Sequence, residues 1–375
     1  MEKKFNKIIS ICVSILVLSL SLTFLVTPKK DFSENENRVL ADFPVFTFEN
    51  LVSGKYIEDL EDYFNDQFPM RDMFMTIKAK TDILLGKDLI NGVYLADNDY
   101  LIEEYKTPIK TNALIQVLNN FEKNNPGVKH QLMLVPTSIS INADLLPEHV
   151  DSTLQLETMN KVYEATNYND ILVYNTLLEN NKDTQLFYRL DHHWTTYGAY
   201  YAYVEYCNAN NLNALSLDDF NIEEVSNEFK GTIFSKLNIS DLKEDTIHIF
   251  TPKKGQDLTV EYINGDKVVT EDSLYELSYL DTKDKYSLFL NNNNPIIKIT
   301  NNNIHDGSKL LILKDSYANC FVPFLTEHYE EIHVIDARYY RGSMSEYLNA
   351  NNIQNTLFLY NMNTIDTDTG IYIVK

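Results

Sequence analysis

Short apolar runs, each too brief for a buried helix, recur along most of this chain: residues 131–135, 171–174, 296–299, 310–313, 333–335 and 356–360. Stretches with helical spacing or composition fall between them, at 113–121, 154–165, 197–206, 321–328 and 344–350. A strand covered on both faces has no solvent side and so reads as continuous apolar sequence rather than as an alternation. Strands of that kind separated by helices predict an α/β fold, a mainly parallel sheet flanked by helices. Residues 208–294 break the rhythm. They are polar, carry possible strands at 246–260 and 268–277, and are read as an insertion. At 44% hydrophobic and 23% charged residues, the composition supports a large core and excludes wholesale disorder.

The N-terminus has a different character. Lys3, Lys4 and Lys7 precede residues 8–26, which carry no charge, and Pro28, Lys29 and Lys30 follow. Nineteen residues at a helical rise cover about 28 Å, enough to cross a hydrocarbon core. The exit, Leu22-Thr23-Phe24-Leu25-Val26-Thr27, offers no small-x-small cleavage site. An uncleaved signal anchor is therefore expected, its lysine-rich end in the cytoplasm and the main domain extracellular, with cleavage as the alternative. The expected organisation is residues 1–30 as anchor, 31–85 as linker and helical segment, and 86–375 as one α/β domain containing the insertion. Within 48–86, Leu51, Tyr56, Leu60, Tyr63 and Phe64 follow helical spacing, and Pro69 ends one helix and starts another. Residues 91–105 read as a hairpin around Asp97-Asn98-Asp99.

Charge and cysteine count narrow the function classes. Lys plus Arg number 32 against 54 for Asp plus Glu, a net charge of -22. Such a surface repels phosphate backbones, which argues against nucleic acid as a partner. Cys12, Cys207 and Cys320 are the three cysteines, and Cys12 lies in the anchor. Neither a disulfide framework nor a multi-thiolate zinc site fits.

In open parallel sheets, reactive groups collect at the carboxyl ends of strands, beside helix N-termini. The run 310–313 ends in Lys314-Asp315-Ser316-Tyr317. That places a hydroxyl where backbone N–H groups, from Ser316 or Tyr317, suit a developing oxyanion. Phe187-Tyr188-Arg189 reads as another strand and leads into Asp191-His192-His193-Trp194. On an extended segment, residues two apart share a face. Asp191 then reaches Nδ1 of His193, Nε2 is left for a serine, and His192 faces the opposite way. A serine nucleophile needs a base, and the base a carboxylate; Ser316, His193 and Asp191 are the catalytic candidates. Alone, Ser316 is more often a helix cap. The histidines are alternatively a structural cluster, or a metal site with His305, His328 or His333, although no His-x-x-x-His spacing supports one. Trp194 suits core packing or sugar stacking, and Cys320 is expected buried and inert. Thr137, at the end of the run 131–135, is placed in the same crevice. Arg338 and Tyr339, in Asp336-x-Arg338-Tyr339 after the run 333–335, are placed next to the serine loop. Arg338 either orients an acyl donor or pairs with Asp336, the reading preferred. Arg338, Tyr339, Tyr317, Trp194 and Thr137 are the substrate-binding candidates. Nothing calls for a cofactor or a metal.

Asp191-His192-His193-Trp194, with Lys314-Asp315-Ser316-Tyr317 downstream, resembles the DHHW-motif protein family of Gram-positive bacteria. That family is similar to the SGNH-hydrolase-like domain of the alginate O-acetyltransferases. The likeness covers nearly all the exported chain and includes Asp66-Gln67-Phe68-Pro69-x-Arg71, Asn91-Gly92-Val93-Tyr94, Lys230-Gly231-Thr232 and Asp336-x-Arg338-Tyr339. Matched residue by residue, it implies Asp191 as orienter, His193 as base and Ser316 as nucleophile, on an SGNH-hydrolase-like sheet. Secreted SGNH esterases have the serine early and Asp-x-x-His late; here the order is reversed and the spacing shorter. The Asp-His-His-Cys palmitoyltransferases share three letters, but this chain has Trp194 where they need a cysteine. The resemblance implies transfer of an acetyl group to cell-surface polysaccharide or exopolysaccharide. It also implies a multi-span membrane O-acyltransferase as the donor partner, because acetyl-CoA is cytoplasmic. The alternatives are a carbohydrate esterase, a non-catalytic glycan-binding or scaffold protein, for which the 25 tyrosines supply stacking surface, and a metal-dependent hydrolase.

Overall fold

A computed structural model describes residues 2–33, 38–237, 239 and 242–374; Met1 and residues 34–37 of the expected linker lie outside the described residues. The chain divides into two compact units, Met1–Lys87 with Ser235–Asp241, and Asp88–Phe234 with Leu242–Lys375.

In the smaller unit, Glu2–Val26 is one helix, and its Lys4–Val26 portion is long and apolar enough to cross a membrane. That property is shared by signal anchors and signal peptides. Helices Phe48–Val52, Lys55–Asp66 and Arg71–Leu84 follow. Pro69 stands in the gap between the last two, since a proline lacks the N–H that a helix interior needs. The Asp66-Gln67 part of the motif there acts locally. Asp66 Oδ2 accepts from Ala41 N at 2.8 Å, and Gln67 exchanges hydrogen bonds with Lys30 N and O at 3.1 and 2.9 Å.

The larger unit is built on an eight-stranded sheet. Its strands are β1 (Lys129–Val135), β2 (Asn169–Asp170), β3 (Leu258–Asn264), β4 (Lys267–Glu271), β5 (Ile296–Asn301), β6 (Lys309–Lys314), β7 (Glu331–Ile335) and β8 (Asn355–Asn361). Their order is β4-β3-β5-β7-β6-β8-β1-β2. The pairs β7/β6, β6/β8, β8/β1 and β1/β2 are parallel. The pairs β4/β3, β3/β5 and β5/β7 are antiparallel. Alternate residues of the central strands enter two separate cores. Leu310, Ile312, Leu357, Leu359, Met133 and Val135 belong to one; Leu311, Leu313, Phe358, Tyr360, Leu132 and Leu134 belong to the other. Burial on both faces is the reason these strands read as unbroken apolar runs.

Several expectations change. Residues 171–174 form no strand: β2 ends at Asp170, and Tyr174 opens the helix Tyr174–Asn180. Residues 208–294 supply β3 and the edge strand β4, besides an antiparallel pair, Phe220–Phe229 with Asp245–Pro252. The expected strand 246–260 is thus two strands in different sheets. Residues 93–95 and 101–103 pair antiparallel around Asp97–Asp99, forming the hairpin read from sequence.

Candidate active site

Strand β6 lies inside the sheet with parallel neighbours on both sides, and Ser316 follows its carboxyl end two residues before the helix Ala318–Leu325. Asp315 and Tyr317 are fully buried, whereas Ser316 between them is half-buried. The turn is fixed by the Asp315 carboxylate. Its Oδ2 accepts from Asn361 N at 2.6 Å, Asn361 Nδ2 at 2.8 Å and Thr364 Oγ1 at 2.9 Å, while Oδ1 accepts from Tyr317 N at 2.9 Å. The Tyr317 N–H is therefore occupied and is corrected out of the oxyanion donors; the Ser316 N–H remains unpaired among the described residues.

The other half of the site is not carried by a strand. Phe187 and Trp194 form an isolated antiparallel bridge, and Tyr188 N donates to His193 O at 3.2 Å, so residues 189–192 make a tight turn. Asp191 bends back over it: Oδ1 accepts from His193 N at 3.0 Å and from His193 Nδ1 at 2.5 Å. Self-capping of this kind is the common use of an Asp in a turn. The expected pairing of Asp191 with His193 is met by this turn, not by an extended segment. Oδ2 accepts from Thr232 N at 2.8 Å and Thr232 Oγ1 at 3.1 Å. Gly231 makes that approach possible, since a Cβ there would lie 2.1 Å from Asp191 Oδ2.

Ser316 Oγ lies 2.7 Å from His193 Nε2. Because a carboxylate can only accept, Nδ1 carries the imidazole proton and Nε2 is the acceptor for the serine hydroxyl. Burial would raise the Asp191 carboxyl, but the His193 and His192 imidazoles and the N–H donors outweigh it and hold it well below the usual carboxylate range. Burial, with repulsion from His192, pushes His193 down despite the pull of Asp191. A neutral imidazole on an ionised carboxylate is the resting state a general base requires.

His192 corrects an expectation. Its ring does not face away; it lies 3.8 Å from that of His193, centroid to centroid, with Nδ1 2.6 Å from Thr232 Oγ1. On the other side the Tyr286 ring stacks on His193 at 3.7 Å and 11°. Tyr286 Oη donates to Ser316 O at 3.1 Å and to Cys320 Sγ at 3.3 Å. Burial pushes the Cys320 thiol up to about 12, leaving it protonated. Thr232 and Tyr286 both come from the polar stretch 208–294. The Lys230-Gly231-Thr232 motif was the available signal for Thr232; nothing in the sequence marked Tyr286.

Trp194 and Tyr317 are fully buried, with Trp194 Nε1 donating to Tyr317 O at 2.9 Å and Tyr317 Oη donating to His192 O. They pack beneath the site and present no surface to a substrate, which corrects their expected role. Thr137 is also buried, its N–H and hydroxyl taken by Gln155 at 2.8 Å each. Arg338 holds Asp336 bidentately, Nε to Oδ1 at 2.9 Å and Nη2 to Oδ2 at 2.6 Å, and Tyr339 is half exposed beside it. The pair neighbours Lys314, a fully buried ammonium bonded to Asn293 Oδ1 and Asn319 Oδ1 at 2.7 Å each. Burial, against the pull of Asp336, lowers Lys314 to about 8.

Asp191, His192 and His193 are, among the described residues, the one group that could gather around a metal ion. His328 is held by Tyr203 Oη, and His333 by Tyr347 Oη and Glu331; neither joins that group, and nor does His305. Both Asp191 oxygens, both His193 nitrogens and His192 Nδ1 are already engaged in hydrogen bonds, a poor donor set for an ion.

Residues 88–335 match the model of the family described as DHHW protein. Among solved structures, a DHHW family protein of Eubacterium siraeum is 25% identical, with a TM-score of 0.64 over 76% of this chain and 95% of that one. Bacillus cereus PatB1 with a sulfonyl adduct is 21% identical, with a TM-score of 0.65 over 76% and 98%. A further structure of PatB1 gives 21% and 0.63 over 76% and 99%. At that identity the PatB1 likeness shows the shared fold. No curated protein matches this chain.

Proposed function

The chain belongs to the DHHW protein family, and from that premise we propose that it is an exported, membrane-anchored O-acetyltransferase that modifies cell-surface polysaccharide. The observation that carries the reading is the chain of contacts Ser316 Oγ to His193 Nε2 at 2.7 Å and His193 Nδ1 to Asp191 Oδ1 at 2.5 Å. A hydroxyl within reach of a neutral, oriented imidazole favours an enzyme over a scaffold that merely keeps the fold.

His193 Nε2 takes the Ser316 proton as Oγ attacks the acetyl carbonyl carbon of the donor. The oxyanion that forms faces the unpaired Ser316 N–H, and Asp191 stabilises the imidazolium. Collapse breaks the bond to the donor's leaving group, which receives the Nε2 proton. A polysaccharide hydroxyl then gives its proton to His193 and attacks acetyl-Ser316, and the proton returns to Oγ as the acetyl ester leaves. With water as acceptor the same groups perform ester hydrolysis. Outside the cell the donor has to be handed across the membrane, which fits a multi-span O-acyltransferase as partner. The helix Lys4–Val26 would keep this domain beside it.

Ser316→Ala should abolish acetylation of the glycan in cells and covalent labelling of the purified chain by a sulfonyl fluoride, read by intact-mass spectrometry. Undiminished acetylation or labelling in that variant removes the proposal.

A further inference from the structure

The turn that carries Asp191 has a second face. Arg189, two residues earlier and so within about 7 Å along the backbone, lines a polar cleft of about 570 Å³. That size falls among the ~300–1,000 Å³ sites that hold small ligands.

The cleft has a locked floor. Arg189 Nη1 donates to Gln185 Oε1 at 2.5 Å, and Gln185 Nε2 donates to Asp245 Oδ1 at 2.8 Å. Asn181 Nδ2 donates to Asn142 Oδ1 at 2.7 Å. The guanidinium lies 5.2 Å from the centre of the Tyr100 ring. Asp245, fully buried, also accepts from Leu190 N at 2.8 Å, so the network under the cleft is the one that anchors the turn. Beneath this floor, Arg189 Nε is buried without a hydrogen-bond partner among the described residues.

The rim is the reverse. Asn98, Asp144, Lys182 and Asp183 line the opening, and their side chains make no hydrogen bond or ion pair among the described residues. Three carboxylates (Asp99, Asp144, Asp183) face three cations (Lys182, Arg189, Lys243) around the lining. On a chain of net charge -22, such a balanced patch selects neither a polyanion nor a polycation. Amides, carboxylates and N–H donors interleaved at this density match sugar hydroxyls, each of which gives one hydrogen bond and takes others.

We propose that this cleft binds a short, uncharged oligosaccharide segment, holding the acceptor glycan one turn away from the Ser316–His193 pair. The inference rests on the transferase reading for its purpose, but its test does not need turnover. Full-length chain in detergent micelles, carrying Ser316→Ala, is titrated calorimetrically with chitotriose, cellotriose and maltotriose, and with trigalacturonate as the anionic counterpart. At least one neutral trisaccharide should bind saturably, and the anion should not. Adding Asp144→Ala and Lys182→Ala, which removes one charge of each sign, should weaken that binding at least tenfold with an unchanged thermal midpoint. Failure of all three neutral sugars, binding of the anion alone, or affinity indifferent to the two rim substitutions overturns the proposal. Sugar binding lost with the rim while Ser316→Ala still transfers acetyl would keep the cleft and discard the triad, so the two failures are distinguishable.

Discussion

Ser316 and His193 meet at 2.7 Å, yet the halves of the site that bring them together are held in different ways. Ser316 follows a strand with ladder partners on both sides, and the Asp315 carboxylate is captured by three donors from Asn361 and Thr364. His193 stands on a four-residue turn outside any sheet. Its place depends on Asp191, whose two oxygens accept from His193 and Thr232, and on Asp245 beneath Leu190. A net hydrogen bond is worth about 1 kcal/mol, while a stranded buried partner costs about 1–3. The sheet-borne half therefore spreads its risk, and the turn-borne half concentrates it on a few carboxylate contacts.

The sharpest way to break that contrast is Gly231→Ala. The new Cβ would sit 2.1 Å from Asp191 Oδ2 and 2.4 Å from its Cγ, so the carboxylate must move and His193 with it. A misplacement of about 1 Å can cost on the order of 100-fold, and a loss of at least that size is expected in kcat/KM for an acetyl ester. Thr364→Val, which removes one donor from Asp315 and leaves three, should cost less than tenfold. Equal losses in the two variants would show that the halves are equally robust.

The same contrast explains what could be read in advance. Strands β1, β6, β7 and β8 were legible because burial on both faces writes itself as apolar sequence, and Ser316 followed from the end of one of them. Asp191 and His193 were legible as residue types but not as geometry: a self-capped turn and an extended strand bring the same pair together, and only the first stacks His192 on His193. Thr232 was marked only by the Lys230-Gly231-Thr232 motif, and Tyr286 was out of reach. A polar segment returning to the site has no periodicity to betray it, and tertiary contacts alone decide which of its side chains arrive.

Protonation probes the turn-borne half next. Burial and repulsion from His192 hold His193 below its ordinary value of 6.5, and the base works only when neutral. The acid limb of kcat/KM should therefore lie below pH 6.5. His192→Gln removes one downward influence and should move the limb up, lowering kcat/KM at a fixed pH on that limb. Stability follows the same sign. The unfolded chain takes up the proton more readily than the folded one, so His193 adds nothing to the pH dependence well above 6.5. It destabilises progressively as pH falls below that value. A limb at or above 6.5, or one unmoved in His192→Gln, contradicts this account.

The smallest effect is expected where the halves touch. Tyr286→Phe keeps the ring that stacks on His193 and deletes the hydroxyl that donates to Ser316 O and Cys320 Sγ. Ser316 O still accepts from Asn319 N at 3.1 Å, so no carbonyl is stranded, and the loss is one net hydrogen bond of about 0.5–1.5 kcal/mol. If that energy appears wholly in the transition state, kcat/KM falls roughly two- to tenfold. Tyr286→Ala removes the ring as well and should fall further, because the imidazole loses the surface that keeps it upright against Asp191. Should Tyr286→Phe cost as much as Gly231→Ala, the hydroxyl would be the element that holds Ser316, and the sheet would not be the sufficient support argued above.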